Sequence, residues 1–395
     1  MNTKGILVRD VNRKLLIQQL FNSRTTSRAE ISRNLELNKS TISSIYNELD
    51  RDGFIADLGL GDSTKNGGRR PHIITLNKKF GWVACFEIGN DYLSVLRSYL
   101  SGEIIERSEK QAHIENVNQL LAVIKREITA MKSNDDTIHG LLGIGFSVHG
   151  IVFHDQIQSS PFFDFENINL QKYFEKLYGV PVILENEANL TAVFERDFGR
   201  KRKISDLVAI SNHTGVGAGI IANGQLYRGC HGMGGEIGRQ LFPSINNDKK
   251  PVKVENLCSG SAIIRSIAQA KSLSRCSLGD IKKYLDQGDE VTTKIVDQAM
   301  RVFTWVVYNV IQSYGPQEVF ISSELFEQVP FCYTELKRQL QRYGVDTAID
   351  LIDGSKFVSL LGASSIIIHR VLGMKDFTLK FPMPREINHY TENAE

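Results

Sequence analysis

Two stretches of this 395-residue chain carry residue types that grip phosphate. The first is Thr214-Gly215-Val216-Gly217-Ala218-Gly219. A Gly-rich turn of this kind lets backbone N–H groups approach a nucleotide phosphate, and the same composition also makes a plain tight turn. The residues leave both readings open. The second is Arg69-Arg70, at the end of the polar, Gly-rich run GLGDSTKNGGRRP. Adjacent guanidinium groups on a loop suit a narrow DNA minor groove, where negative potential is enhanced. The plainer alternative is a solvated loop. The five cysteines, Cys85, Cys230, Cys258, Cys276 and Cys332, are scattered, odd in number and never in a CxxC pair. That spacing argues against a disulfide framework and against a thiolate-rich zinc site, and reduced thiols are expected. His231 stands without partners in the sequence and reads as structural.

The elements around Arg69-Arg70 give that pair its meaning. Over residues 8–22, Val11, Leu15, Leu16 and Leu20 fall at helical spacing and predict an amphipathic helix. Ser27-Arg28-Ala29-Glu30 reads as a capping box opening a second helix that runs to about Leu35. A tight turn at Glu36-Leu37-Asn38 follows, at a position where helix-turn-helix turns often carry Gly. A third helix runs from about Lys39 to Arg51, with Ile42, Ile45 and Leu49 on its core face and Gly53 as its stop. Ser32 and Ile42 are expected where the two helices of the motif touch. Strands at 54–58 and 72–76 flank the basic loop, so the whole reads as a winged helix-turn-helix. Lys39, Ser40, Thr41, Ser43 and Ser44 lie at the N-terminal end of the reading helix. With Ser27, Arg28, Arg69 and Arg70 they form the expected DNA-binding set.

From about Phe80 the pattern changes. Strands are predicted over 83–89, 93–100 and 104–105, then a helix over 117–132 and a strand over 140–147. Strands at 182–184, 207–210, 219–221 and 319–321 alternate with helices at 187–197 and 293–313. This order predicts an α/β fold with a largely parallel sheet. Two parts that each open with strand, Gly turn and strand suggest a duplicated domain. The expected division is 1–78 for the DNA-binding head and 79–395 for the remainder.

Bulk properties agree. The chain is 42% hydrophobic and 23% charged, as a globular protein should be. Residues 1–71 carry 12 Lys+Arg against 8 Asp+Glu, while the whole chain has a net charge of only +2. A mildly basic head is consistent with nucleic-acid binding. The absence of a bilayer-length apolar run and of a secretory leader leads us to expect a cytoplasmic protein with no membrane partner.

The order of elements, and the stretches GIGFSVHG (143–150), GVPVILENEAN (179–189), NHTGVGAGII (212–221), NGQLYRGCHGMGGEIG (223–238) and LLGAS (360–364), resemble the ROK family of repressors and sugar kinases. The head, with GGRRP and LNKKFG, is similar to its xylose-repressor branch. The resemblance implies an actin-like ATPase fold with a sugar bound between two lobes. It also implies a homodimer or homotetramer, and operator DNA controlling sugar uptake and catabolism.

Against that family, several positions depart. Its kinases have a first phosphate loop resembling DxGGTK; here Glu87-Ile88-Gly89-Asn90-Asp91-Tyr92 lacks the second glycine and the Thr-Lys pair. The kinases' general base is an Asp in an ENDAN-like motif, and Glu187 in Glu185-Asn186-Glu187-Ala188-Asn189 is longer by a methylene. A misplacement of about 1 Å costs on the order of a hundredfold in rate. These departures favour a sensor without catalytic residues over an ATP-dependent sugar kinase. Arg239 replaces the family's zinc-ligating His, and its Cys cluster is absent, so no metal or other cofactor is expected. The resemblance assigns Gly150, Asn186, Glu187, Glu236 and Glu255 to the sugar, joined by Arg239. The Arg239 charge either pairs with Glu236 or Glu255, or holds an anionic effector such as a sugar phosphate. A third possibility is a regulator answering to a protein partner.

Overall fold

The structure is a computed structural model describing residues 3–61, 70–111, 114–165, 168–199, 204–243, 250–352, 354–384 and 389–390. Along the chain run α1 (Thr3–Asn22), α2 (Arg28–Asn34), α3 (Lys39–Arg51), β1 (Ile55–Leu60), β2 (His72–Leu76), β3 (Trp82–Ile88), β4 (Tyr92–Tyr99), β5 (Ile104–Gln111), α4 (Val117–Ser133) and β6 (Leu141–Val148). Then come β7 (Ile151–Phe153), β8 (Gln156–Ser159), α5 (Leu170–Tyr178), β9 (Val182–Asn186), α6 (Glu187–Phe198), β10 (Leu207–Asn212), β11 (Val216–Ala222) and β12 (Gln225–Leu226). The remainder is β13 (Leu241–Phe242), β14 (Val252–Lys253), α7 (Glu255–Cys258), α8 (Gly260–Ala270), α9 (Leu278–Asp286), α10 (Glu290–Tyr314), β15 (Glu318–Ser322), α11 (Glu324–Gln328), α12 (Pro330–Arg342), β16 (Ala348–Ile352), α13 (Val358–Leu372) and β17 (His389–Tyr390).

Two compact units result. One comprises Met1–Phe146, Phe162–Leu184 and Ala363–Pro382; the other comprises Ser147–Pro161, Glu185–Gly362 and Met383–Glu395. The first contains the helix-turn-helix and its two-stranded sheet β1-β2, followed by a sheet in the order β5-β4-β3-β6-β9. The second is built on a sheet in the order β12-β11-β10-β15-β16-β17. The sheets are mixed rather than largely parallel. β10, β15 and β16 run parallel, but β11 and β12 return as antiparallel hairpins, as do β4 and β5. Apolar alternation marks a strand without stating its direction, and short Gly turns such as Gly224 allow the antiparallel return.

In the head, buried Leu16, Ile17 and Leu20 of α1 and Ile42, Ile45 and Leu49 of α3 make the core. Asn38 caps α3, accepting from Thr41 N at 2.8 Å. Glu36 takes φ +53°, the left-handed conformation that explains why a turn at this position usually carries Gly. Ser32 Oγ donates to Leu37 O at 2.7 Å across the same turn. Two expectations need correction. Val11 is 47% exposed, like Leu7 at 61% and Val8 at 60%, so the apolar stripe of α1 is not covered at these positions. The capping box is half made: Ser27 Oγ accepts from Glu30 N, whereas the Glu30 carboxylate accepts from Thr26 Oγ1 at 3.1 Å.

Candidate functional site

The exposed face of α3 presents Lys39, Ser40, Ser44 and Asn47, with Thr41 and Ser43 half-buried beside it. The core positions Ile42, Ile45, Tyr46 and Leu49 fix which face turns outward. Ser40 Oγ donates to Asn38 Oδ1 at 2.8 Å, so its hydroxyl serves the turn as well. Ser27 is buried and used as the α2 cap. The Arg28 guanidinium lies 4.4 Å from the centre of the Tyr46 ring, a cation–π contact that holds it at the helix surface. Arg70 is exposed; Arg69 lies outside the described residues. Asn47 was not in the expected set. Its signal was the spacing Ser40, Ser44, Asn47, which places it on the same helical face.

The residues expected to meet a sugar gather in two groups of the second unit. Asn186 is spent on structure: its Nδ2 donates to Gly150 O at 2.7 Å, and its Oδ1 caps α6, accepting from Ala188 N at 2.9 Å and Asn189 N at 3.2 Å. Glu187 opens that helix and is buried; its Oε1 accepts from Ser211 Oγ at 3.0 Å and Thr191 Oγ1 at 3.2 Å. Behind them, Glu185 receives Asn186 N and Asn189 Nδ2, both at 2.9 Å, on Oε1, and Arg228 Nε at 2.6 Å on Oε2. Nothing in the sequence pairs Arg228 with Glu185; the tertiary fold brings them together.

Glu236, Arg239 and Glu255 form the second group. Gly235 has φ +84°, and a Cβ there would stand 1.7 Å from Ala218 O, so only glycine lets this loop lie flat across β11 and present Glu236. Burial pushes the Glu236 carboxyl above its usual range; the nearby Arg239 charge opposes this and the Glu255 charge adds to it. Arg239 Nη1 stands 3.8 Å from Glu236 Oε2, a loose ion pair.

The phosphate loops can be judged separately. In the first unit, Tyr92 Oη donates to Glu87 Oε1 at 2.8 Å, and the Tyr92 ring covers Gly89, where a Cβ would stand 2.2 Å from Cε1. The cradle expected to face a phosphate is filled by the protein's own side chain. In the second unit, a Cβ on Gly219 would stand 2.2 Å from Ala188 O, and one on Gly217 3.1 Å from the Ala188 side chain. These glycines are explained by the packing of α6 on β11. A Cβ on Gly215 would stand 3.3 Å from Glu255 Oε2, a carboxylate that is an unfavourable neighbour for phosphate. The donor set does not fit zinc either. Cys258 is buried, donates to Val254 O at 3.4 Å, and has its thiol pushed up to about 12 by burial. Among the described residues, no group of three or more His, Cys, Asp and Glu is placed to hold a metal ion.

A winged helix-turn-helix leading into a two-lobed, actin-like α/β domain defines a class in which a DNA-binding head precedes a sugar-kinase-like body. The ROK family model matches residues 83–368, and the chain belongs to that family. It is 38% identical over 375 residues to the xylose repressor of Lactiplantibacillus pentosus, covering 95% of this chain and 96% of that protein. It is 27% identical to the beta-glucoside kinase of Listeria innocua, covering 71% of this chain and 95% of the kinase. A crystal structure of a ROK family transcriptional regulator, a homologue of the E. coli MLC protein, superposes with a TM-score of 0.74 at 21% identity, covering 93% of this chain and 98% of that one. Among the described residues, no helix is long and apolar enough to cross a membrane.

Proposed function

We propose that the chain is a transcriptional repressor whose affinity for operator DNA is set by a sugar. Residues 1–78 carry DNA recognition and residues 79–395 carry the effector. The observation that carries this reading is the outward polar face of α3, Lys39, Ser40, Ser44 and Asn47, on a head placed ahead of a ROK domain. Two such helices, one from each protomer of a homodimer, reach successive major grooves of a two-fold operator. Similarity to xylose repressors over nearly the full length points to genes of sugar uptake and catabolism, with xylose as the first effector to test. The protein works in the cytoplasm.

Sensing rather than phosphoryl transfer is supported by Tyr92, whose ring fills the first loop and whose hydroxyl occupies Glu87. A kinase needs that loop open to bring phosphate and metal in line with the sugar hydroxyl. In the effector site, Glu187 and Glu236 offer carboxylate oxygens to sugar hydroxyls, and Gly150, Asn186 and Glu255 frame them. Arg239 is drawn towards Glu236, and this counter-charge favours a neutral sugar over a phosphosugar. Ligand binding changes operator affinity only as far as the sugar prefers one conformation.

The test is operator binding by fluorescence anisotropy with and without D-xylose, D-glucose and glucose 6-phosphate, beside a coupled ATPase assay with the same sugars. A sugar-dependent shift in operator affinity with no turnover is expected. Sugar-dependent turnover of about 1–100 per second, the range of kinases, would sink the sensor reading.

A further inference from the structure

The head is tied to the rest of its unit by the segment that follows α13. Met374 and Leu379 of this segment are buried, and Phe381 is fully so. His369, near the end of α13, has Nε2 3.1 Å from Phe377 O and its ring 5.8 Å from that of Phe381. The segment is therefore fixed to its helix. Its outer edge faces α1. Asn22 Nδ2 and Gln18 Nε2 each donate to Thr378 O at 3.0 Å, and Lys380 N donates to Asn22 Oδ1 at 2.7 Å. Asn22 thus pairs with the segment's backbone through both ends of its amide, as a neighbouring strand would. Phe21 meets Phe381 edge-on, with ring centres 5.1 Å apart.

What happens to α1 reaches the reading helix. Glu48 of α3 accepts from Arg9 Nη2 at 2.7 Å and from Arg13 Nε at 3.0 Å, and Leu16, Ile17 and Leu20 are buried in the head. At the other end, α13 begins against the effector helix: a Cβ on Gly362 would stand 2.0 Å from Leu190 O of α6. Asn186 caps α6 and Glu187 is its first residue. A single helix therefore runs from contact with the helix that carries the candidate sugar residues to the segment that grips α1. The described contacts of this grip are exposed hydrogen bonds from Gln18, Asn22 and Lys380 and the aromatic edge contact of Phe21 with Phe381. Such a grip is weak enough to be remade at a cost the size of an allosteric coupling, about 5- to 150-fold in affinity.

We propose that the segment Met374–Phe381 is the latch through which α13 sets the position of the DNA-binding head, and that Asn22 is its positioning residue. This rests on the sugar-responsive reading above and names its route. A second contact between the head and the same unit, His139 Nε2 at 2.9 Å from Asp52 O just past α3, holds the other side of the head while the latch resets.

The test uses the full-length chain with Gln18→Cys and Thr378→Cys, which leave the Asn22 amide in place, oxidised to a disulfide or kept reduced, and separately Asn22→Ala. Operator affinity is measured with and without the same three sugars, and sugar affinity by calorimetry. In the oxidised protein the sugar-induced change in operator affinity falls below about twofold, and reduction restores it to the wild-type value, within the roughly 5- to 150-fold span of allosteric couplings. Asn22→Ala loses most of the change while its sugar affinity stays within about twofold of wild type. The latch is overturned if the cross-linked protein keeps the wild-type response or if Asn22→Ala keeps it. If no sugar shifts wild-type operator affinity, the functional reading itself fails and the latch falls with it. A responsive wild type beside a responsive cross-linked protein sinks the latch alone.

Discussion

The Tyr92 hydroxyl donates to Glu87 Oε1 at 2.8 Å, closing the turn between β3 and β4 over Gly89. Glu87 is buried, and a buried carboxylate depends on its donors. Tyr92→Phe removes this donor and keeps the ring. The variant should be less stable by about 1–3 kcal/mol, the cost of taking a donor from a buried acceptor. Equilibrium urea unfolding reads this directly; an unchanged midpoint would show that the hydroxyl contributes nothing to closing the loop.

On α3, Asn47 and Lys39 should fail in different ways. An amide reads a base edge, most favourably adenine, whereas an ammonium neutralises phosphate. Asn47→Ala should cost about 1–3 kcal/mol on the operator and relax base preference at one position. Lys39→Ala should weaken operator and random duplex alike and lower the slope of log affinity against log salt by about 0.9. Salt titrations on both duplexes separate the two. Equal losses for Asn47→Ala on operator and random DNA would remove it from base reading.

Glu236 gives a pH signature. Burial raises its folded-state pKa above that of the unfolded chain. An acid shifted upward is ionised at a cost in the folded state at neutral pH. The cost fades as pH falls through the folded value and is gone below the unfolded one, about 4.3. Glu236→Gln should therefore unfold at a higher temperature than wild type at neutral pH, with the gap closing as the buffer approaches about pH 4. The same variant should bind sugar more weakly, since a carboxylate acceptor has been lost. Thermal melts across pH check the first half and calorimetry the second; a gap that widens on acidification would contradict the burial account.

Much of the head was legible because its signals are local. The boundaries of α3, Lys39 to Arg51, follow from an amphipathic repeat, the turn at Glu36-Leu37-Asn38 and the Gly53 stop, all within eighteen neighbouring positions. The same repeat misjudged Val11. A periodic stripe says which face of a helix is apolar, but not how much of its length another element covers.

The body shows the same limit more sharply. The run Thr214–Gly219 has the composition of a phosphate loop, yet what fixes Gly219 is the Ala188 carbonyl of α6, 31 positions earlier in the chain. Sequence alone could not distinguish a glycine kept for a ligand from one kept for a helix, since both demand only the absence of a side chain. The departures at Glu87, Tyr92, Glu187 and Arg239 were visible as residue types. That Tyr92 fills the first loop, that Arg228 holds Glu185, and that Arg239 leans on Glu236 required the fold. By itself the sequence determined a winged helix-turn-helix and an α/β body, because caps, repeats and turn residues act over a few positions. The tertiary structure alone decided strand direction, which glycines are spent on packing, and how Asn22 meets Thr378 and Lys380 more than 350 residues away. Those choices depend on burial and close approach between distant segments, and no local pattern encodes them.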